Sequence, residues 1–181
     1  QRGISYTNAK NQVAQLPLKE LEKEVENALI HLRFFDNPLP EFHHITYTLS
    51  LCISEANWHQ LLRHNRRTHF SYGSPTTALG YTIPPNIISA GLEPLYCSFI
   101  AEAEKAHTQI ATFNPLLAHY CVTNAHHRQV TATASLWELY HLINLRTSPE
   151  AQWDIAETFE QVYKELKEKH PAFIKYAKRR V

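Results

Sequence analysis

The sequence has few glycines, and their scarcity excludes two common nucleotide-binding motifs. The chain has 181 residues, and its four glycines are Gly3, Gly73, Gly80 and Gly91. The dinucleotide-binding fingerprint G-x-G-x-x-G and the P-loop both need closely spaced glycines where the backbone approaches a phosphate. Neither pattern occurs anywhere on this chain, so Rossmann and P-loop sites are excluded.

The chain also has few cysteines and almost no excess of charges of one sign. Cys52, Cys97 and Cys121 are an odd number at wide spacings, which gives neither a disulfide framework nor paired zinc ligands. We therefore expect a reducing, cytoplasmic setting. The 18 Lys and Arg residues against 17 Asp and Glu leave a net charge of +1. Because nonspecific nucleic-acid binding needs a broad basic surface, we expect no nucleic acid as partner.

Long apolar runs and methionine are missing altogether. No apolar run approaches the roughly 18 residues of a membrane-spanning helix, so we expect no membrane partner. The chain begins at Gln1 and contains no methionine, which indicates a trimmed chain or one part of a longer or tandem polypeptide. Its length suits a single domain over residues 1–181.

The hydrophobic pattern predicts an α+β domain. Residues 44–53 alternate apolar and polar side chains as a strand does, and residues 129–133 alternate more weakly. Residues 66–91 hold three glycines and three prolines, so we expect them to be mostly extended or looped. Ser54 and Ser148 are expected to cap helices, the second with Pro149 in its first turn. Helices are predicted over 17–35, 55–64, 94–112, 135–145 and 148–169, with a short one after Pro115.

The 12 histidines raise the alternative of a metal protein. Glu138 and His141 are spaced by three residues and share a helix face, as in dinuclear carboxylate bundles. That architecture needs a second copy of the motif, which the sequence lacks, so we expect no metal site. The alternative predicts stoichiometric zinc, iron or manganese in the purified protein.

Three arginines lie within five residues at the end of the helix predicted over 55–64. Arg63, Arg66 and Arg67 are able to hold phosphates, or to oppose the negative end of the helix dipole. The pattern alone favours the second interpretation.

Three segments, in order, resemble the flavin-dependent thymidylate synthases. The first is HITYT at 44–48 leading to WHQLLRHN at 58–65, similar to the family's strand and helix ending in Arg-His-Arg. The second is YTIPP at 81–85. The third is NLR at 144–146, followed by EAQWDI at 150–155 and FIKYA at 173–177. The resemblance covers roughly residues 42–178 and implies the family's α+β fold, a central and mainly antiparallel sheet with helices.

The resemblance also implies a function and a set of site residues. The family methylates dUMP reductively to dTMP with FAD, NADPH and methylenetetrahydrofolate, in a homotetramer whose sites are shared between subunits. Arg146 matches the arginine that binds and polarises dUMP, and is the candidate catalytic residue. The candidate cofactor-binding residues are Arg63, His64, His44 and His141. The candidate substrate-binding residues are Gln60, Ser74 and Arg146.

Four arginine positions of the family pattern have changed in this chain. The motif's third residue is Asn65, and in the family's Ser-x-Arg element Gly73 stands at the serine and Pro75 at the arginine, with Ser74 between them. His119 replaces the arginine of an Ala-Arg element, and Trp137 replaces that of the Asn-Ala-Arg-Ser-Leu element. In the latter, a glutamate at 138 stands at the serine position. Losing two charged hydrogen bonds would cost about 3–6 kcal/mol of anion binding, unless Arg66, Arg67, Arg128 or the histidines substitute.

Two hypotheses follow from the resemblance and its departures. The chain is either an active or modified thymidylate synthase domain, or a catalytically inactive domain of the same fold. In the second case it has a structural role or completes the site of a partner.

Overall fold

The structure is a computed structural model that describes residues 3–180. The described chain is mainly helical, with one small sheet. The α-helices are α1 Tyr6–Ala14, α2 Leu18–Leu29, α3 Glu55–Leu61, α4 Pro85–Ser89, α5 Glu93–Ala111, α6 Pro115–Ala118, α7 Leu136–Arg146, α8 Trp153–Lys169 and α9 Pro171–Ile174. Short 3-10 helices span Pro40–His44, Leu62–His64 and His119–Cys121. The strands are β1 Thr46–Ser54, β2 Thr68–Tyr72 and β3 His127–Ser135.

The three strands form one antiparallel sheet in the order β1-β3-β2. Threonines and β-branched residues favour this pairing, and the hydroxyls of Thr48 and Thr133 form a cross-strand hydrogen bond of 2.9 Å. The strands bury alternate side chains, such as Leu51 and Ile53 on β1 and Val130 on β3. The predicted α+β class with an antiparallel sheet is confirmed.

The hydrophobic core lies between the sheet and the helices that follow its two long strands. α7 packs against α8, and α8 against α9 and α3. The largest buried side chains of this core are Tyr140, Phe159, Leu29, Leu61, Leu136, Leu139, Leu142, Ile143, Ile155 and Ile174. One contiguous cluster thus joins residues from α2 to the end of the described chain, and a single domain over 1–181 remains our prediction.

Several predicted elements lie close to where the sequence placed them. β1 is predicted over 44–53 and spans Thr46–Ser54, and α5 and α6 contain the predicted prolines, Pro94 and Pro115, in their first turns. Ser54 caps α3 by accepting a hydrogen bond of 3.0 Å from the amide of Asn57, which confirms the predicted cap.

Three predicted elements are corrected. α8 begins at Trp153, and not at 149, because Gln152 provides the cap while the Ser148 hydroxyl donates to the Leu145 carbonyl at the end of α7. The predicted helix over 17–35 ends at Leu29. Residues 66–91, expected to be mostly extended or looped, contain the extended strand β2, which pairs with β3, and also the short helix α4, which begins at Pro85 and was not predicted.

Two further properties bear on the expectations from composition. All three cysteines are free. Within residues 3–180, no helix has both the length and the apolar character needed to cross a membrane.

Candidate functional site

Two strand–helix units bring the candidate residues together. β1 leads into α3 through Ser54, and its neighbour β3 leads into α7 through Ser135, whose hydroxyl accepts from the Glu138 amide. Because β1 and β3 are adjacent, the end of α3 and the 3-10 turn after it lie beside α7. The residues of the Arg-His pair at 63–64 therefore meet Arg146 at the end of α7.

Arg146 is held by two partners from the α3 unit. Its Nη2 lies 3.1 Å from the Gln60 carbonyl and 2.8 Å from Nε2 of His64, and its Nε lies 3.2 Å from the same ring nitrogen. The guanidinium is half-buried, and this burial lowers its pKa, as does the nearby charge of Arg63. The arrangement fixes the orientation of Arg146 at the base of the site.

His64 lies between Arg146 and a buried carboxylate. Its Nδ1 is 3.7 Å from Oε1 of Glu138, a side chain that is only 3% exposed. The rings of His64 and His141 make an edge contact with centroids 5.6 Å apart. Burial lowers the pKa of His141, and His64, Arg67 and Arg146 lower it further, against the opposing effect of Glu138.

Within residues 3–180, His64, Glu138 and His141 form a group with the residue types and spacing of metal ligands. The potential ligand atoms of His64, Glu138 and His141 lie within 4.8 Å of one another. The sequence pointed to Glu138 and His141, but not to His64, which joins them only through the tertiary fold. Arg63, Arg66 and Arg67 surround this group, so a cation would face several guanidinium charges and an anion would be attracted.

A cavity of about 400 Å³ opens above this group, and we call it the His64 cavity. It is lined by Asn37, Arg63, His64, Arg66, Arg67, Trp137, Glu138 and His141. A second cavity of about 560 Å³, which we call the His43 cavity, shares Arg66 and Arg67 with the first. We call the two cavities together the groove; the side chains that they share, Arg66 and Arg67, are exposed.

Trp137 supports the groove from the α7 side. The Arg67 guanidinium lies 4.2 Å over its ring, a cation–π contact. The His43 ring stacks on Trp137 with centroids 4.8 Å apart, and its Nδ1 is 3.2 Å from the Ser135 hydroxyl. Trp137 stands where the resembling family has an arginine, and it holds the guanidinium of Arg67 beside that position.

The structure brings together most of the predicted site residues and separates two. Arg63, His64 and His141 line the His64 cavity, Arg146 contacts His64, and Gln60 contributes its carbonyl to Arg146. The Gln60 side chain faces away and donates to Gln152. His44 and Ser74 are exposed and line neither cavity.

A neighbour of one predicted residue, and three residues that were not among the predicted cofactor- or substrate-binding ones, line the groove instead. His43 lines the His43 cavity where His44 was expected, and Arg66, Arg67 and Trp137 complete the His64 cavity. The cluster of arginines at 63–67 was the sequence signal for Arg66 and Arg67, but the same cluster is also typical of the C-terminal end of a helix. No local signal distinguished His43 from His44.

Arg128 does not contribute a replacement charge to the groove. Its Nε and Nη2 donate to both oxygens of Glu55 at 2.9 and 3.0 Å, and its Nη1 donates to the Gly73 carbonyl. The two side chains are 8% and 7% exposed. This buried, bidentate pair fixes the loop after β2 to β3. Arg66 and Arg67, and not Arg128, are therefore available to replace the arginines of the family pattern that this chain lacks.

Two comparisons of the sequence with known proteins found relatives of this chain. The sequence model of one family, described as thymidylate synthase complementing protein, matches residues 3–172. The chain is also similar to the UPF0159 protein Ta1429 of Thermoplasma acidophilum, with 26% identity over 133 residues. The match covers 72% of this chain and 26% of the relative's length.

Proposed function

Because the chain belongs to the thymidylate synthase complementing protein family, we propose that it is a flavin-dependent thymidylate synthase-like domain that binds dUMP and FAD in the joined cavities. The reaction is the reductive methylation of dUMP to dTMP, with NADPH and methylenetetrahydrofolate as cosubstrates. The thymidylate synthase-like fold is part of the same proposal.

The observation that carries the proposal is the convergence of three arginines on one cavity, with a fourth in contact with its wall. Arg63, Arg66 and Arg67 line the His64 cavity from the segment after α3, and Arg146 of α7 contacts His64, which lines the same cavity. Guanidinium groups bind phosphate oxygens through paired, charge-assisted hydrogen bonds. A groove with this lining fits ligands that carry phosphates and a flat heterocycle.

The same lining fits FAD, whose two phosphates need cationic partners. Arg66 and Arg67 line both cavities and are exposed, so they would hold the diphosphate, with Arg63 beside them. When bound and reduced by NADPH, the flavin would supply the hydride for the reductive step.

Arg146 has the environment expected for polarising a pyrimidine. A half-buried guanidinium acts through a lower effective dielectric than a solvated one, so its field at a nearby carbonyl oxygen is stronger. The contacts to Gln60 and His64 hold it in place before the ligand arrives, which reduces the ordering cost of binding. Its task is to withdraw electron density from the uracil ring of dUMP.

The test is dTMP formation by the full chain with FAD, NADPH and methylenetetrahydrofolate, measured by chromatography. We expect dTMP from the natural sequence and at least tenfold less from Arg146→Lys, which keeps the charge but loses the paired donors. No dTMP at saturating cosubstrates would contradict the active form of the proposal.

A specific surface favours the second candidate, a domain that completes a partner's site in a homotetramer. α5 is 19 residues long and buries only Ile100 among its described side chains. Large apolar side chains are exposed on α5 and on the segment after it, namely Leu95, Phe99, Phe113, Leu116, Leu117 and Tyr120. Large exposed apolar side chains concentrated on two neighbouring segments are typical of protein interfaces.

Light scattering after gel filtration tests this candidate. We expect an oligomer, and we expect Phe99→Asp to shift it toward the monomer because Phe99 is 72% exposed in the single chain. Tyr6→Asp, at an 81% exposed aromatic on α1, is the matched control. A monomeric natural chain would contradict the partner-completing role.

A further inference from the structure

The two ring nitrogens of His64 face groups of opposite charge. Nε2 receives two N–H groups of Arg146, at 2.8 and 3.2 Å. A guanidinium has donors and no acceptor, so these two contacts form as hydrogen bonds only when Nε2 presents its lone pair. The remaining ring proton of a neutral imidazole is then on Nδ1, which faces the Glu138 carboxylate.

The Glu138 contact favours the same location of the proton. At 3.7 Å the separation between Nδ1 and Oε1 is longer than a hydrogen bond, but it is close enough for electrostatic attraction. The other tautomer would place an N–H group against Arg146 and a lone pair against the carboxylate. One tautomer therefore satisfies both neighbours, and the other satisfies neither.

We infer that Glu138 is a positioning residue that acts through His64 on Arg146. The buried carboxylate selects the Nδ1–H tautomer, and the freed Nε2 lone pair then holds the guanidinium in the orientation that the nucleotide needs. The consequence for nucleotide binding rests on the proposed function, whereas the tautomer does not.

The charges around His64 make a metal ion the weaker interpretation of the same cluster. Coordination through Nδ1 would move the ring proton to Nε2, directly against the Arg146 donors. The charged and titratable groups that face His64 are Glu138, His141 and Arg146 from α7, and Arg63, Arg66 and Arg67 from the segment after α3. Only one of these groups is an anion.

Nitrogen-15 NMR of the histidine rings in the full chain tests the tautomer directly. At neutral pH we expect the long-range correlations of His64 to show a protonated Nδ1 in the natural sequence. In Glu138→Gln we expect a shift toward Nε2–H or a mixture. His64 protonated on Nε2 in the natural sequence, or an unchanged pattern in Glu138→Gln, would overturn the inference.

A matched control removes the other carboxylate that lies at the same distance from a histidine. Glu104 is 3.7 Å from Nε2 of His126, and no arginine contacts that ring among the described residues. Glu104→Gln should leave the His64 correlations and nucleotide affinity unchanged. A change in the His64 correlations equal to that in Glu138→Gln would mean that the effect is not local. It would contradict the proposal that Glu138 acts through His64 on Arg146.

Calorimetry with dUMP and with inorganic phosphate separates positioning from simple charge. Removing a carboxylate from a cationic groove should tighten phosphate binding or leave it unchanged. If Glu138 positions Arg146, Glu138→Gln should weaken dUMP binding by about tenfold. Tighter binding of both probes would overturn the positioning role.

The two proposals fail in different ways. If the natural sequence binds no dUMP, the proposed function fails while the NMR result still decides the tautomer. If the natural sequence binds dUMP and Glu138→Gln binds it equally well, the positioning role of Glu138 fails and the proposed function stands.

Discussion

At the scale of single residues, the site depends on which arginines remain free. Arg128 is fully used by Glu55 and Gly73, while Arg67 lies on Trp137 with its guanidinium at the groove. Two arginines with the same charge in the sequence therefore have different roles. One fixes a loop, and the other is available to an anion.

The first prediction concerns Arg67. We expect Arg67→Gln to weaken FAD or phosphate binding by about tenfold to a hundredfold, because a charge-assisted hydrogen bond contributes about 1.5–3 kcal/mol. Lys167→Gln is the matched control, since Lys167 also lies over an aromatic ring, 5.3 Å from Tyr163, but outside the groove. Equal binding by the natural sequence and Arg67→Gln in calorimetry would contradict the role of Arg67.

The second prediction concerns the buried pair of Glu55 and Arg128. Glu55→Gln leaves the guanidinium without its counter-charge, so we expect a loss of about 3–5 kcal/mol in the free energy of unfolding by urea. Glu102→Gln, which removes an exposed pair with Lys105, should change this free energy by less than about 1 kcal/mol. Similar losses in both variants would show that the buried pair has no special weight.

At the scale of elements, each strand of the β1–β3 pair ends in a serine that begins a helix of the site. Ser54 does more than cap α3, because its hydroxyl also donates to the carboxylate of Asp154 on α8. Asn57 donates to the same carboxylate. This buried network holds α3 against α8, and α3 carries Gln60 and leads into His64.

The third prediction is that Ser54→Ala lowers the free energy of unfolding by about 1–3 kcal/mol, since it removes a cap and leaves Asp154 with one fewer donor. Ser5→Ala is its control. Ser5 caps α1 in the same way, but α1 buries none of its side chains, so global unfolding should hardly change. Urea titration followed by circular dichroism measures both; a larger effect of Ser5→Ala would contradict this account.

Local patterns predicted the elements whose signals are local. β1, the Ser54 cap and α5 follow from alternation, a capping residue and a first-turn proline. β2 did not, because Thr68–Tyr72 gains its hydrogen bonds from β3 and its neighbourhood is rich in glycine and proline. Likewise, α8 starts at Trp153 because the Ser148 hydroxyl donates to the Leu145 carbonyl of α7 and Gln152 caps α8 instead.

The site was also predictable only in part, because contacts between residues that are far apart in the sequence leave no local signal. The resemblance pointed to Arg63, His64 and Arg146; the first two line the His64 cavity, and Arg146 contacts His64. His44 and Ser74 are exposed away from it, and their roles stay untested predictions. Glu138 was visible only as half of an incomplete metal motif, because its contact with His64 joins residues 74 positions apart.

At the scale of the whole molecule, stability should depend on pH through a buried histidine. His126 is fully buried, accepts hydrogen bonds at Nδ1 from the amide and hydroxyl of Thr123, and joins β3 to Glu104 on α5. Burial lowers its pKa below the ordinary 6.5, against the opposing effect of Glu104. The unfolded chain therefore takes up more protons than the folded chain as the pH falls through this range.

The fourth prediction is that the free energy of unfolding falls between about pH 7.5 and pH 5.5, as the unfolded state gains protons first. His141, whose pKa is also lowered, contributes in the same direction. In His126→Gln the fall should be smaller, whatever the absolute stability of the variant. A variant with the same pH dependence as the natural sequence would exclude His126 as a source.

The central claim is that the arginine-lined groove is a flavin and uracil-nucleotide site. The most direct measurement is the visible absorption spectrum of the protein after incubation with FAD and gel filtration, followed by difference spectra on adding dUMP. We predict flavin bands that co-elute with the protein and shift with dUMP, and we expect Arg146→Gln to keep the flavin bands but lose most of the shift. A colourless protein that gives no difference spectrum with dUMP would contradict the claim.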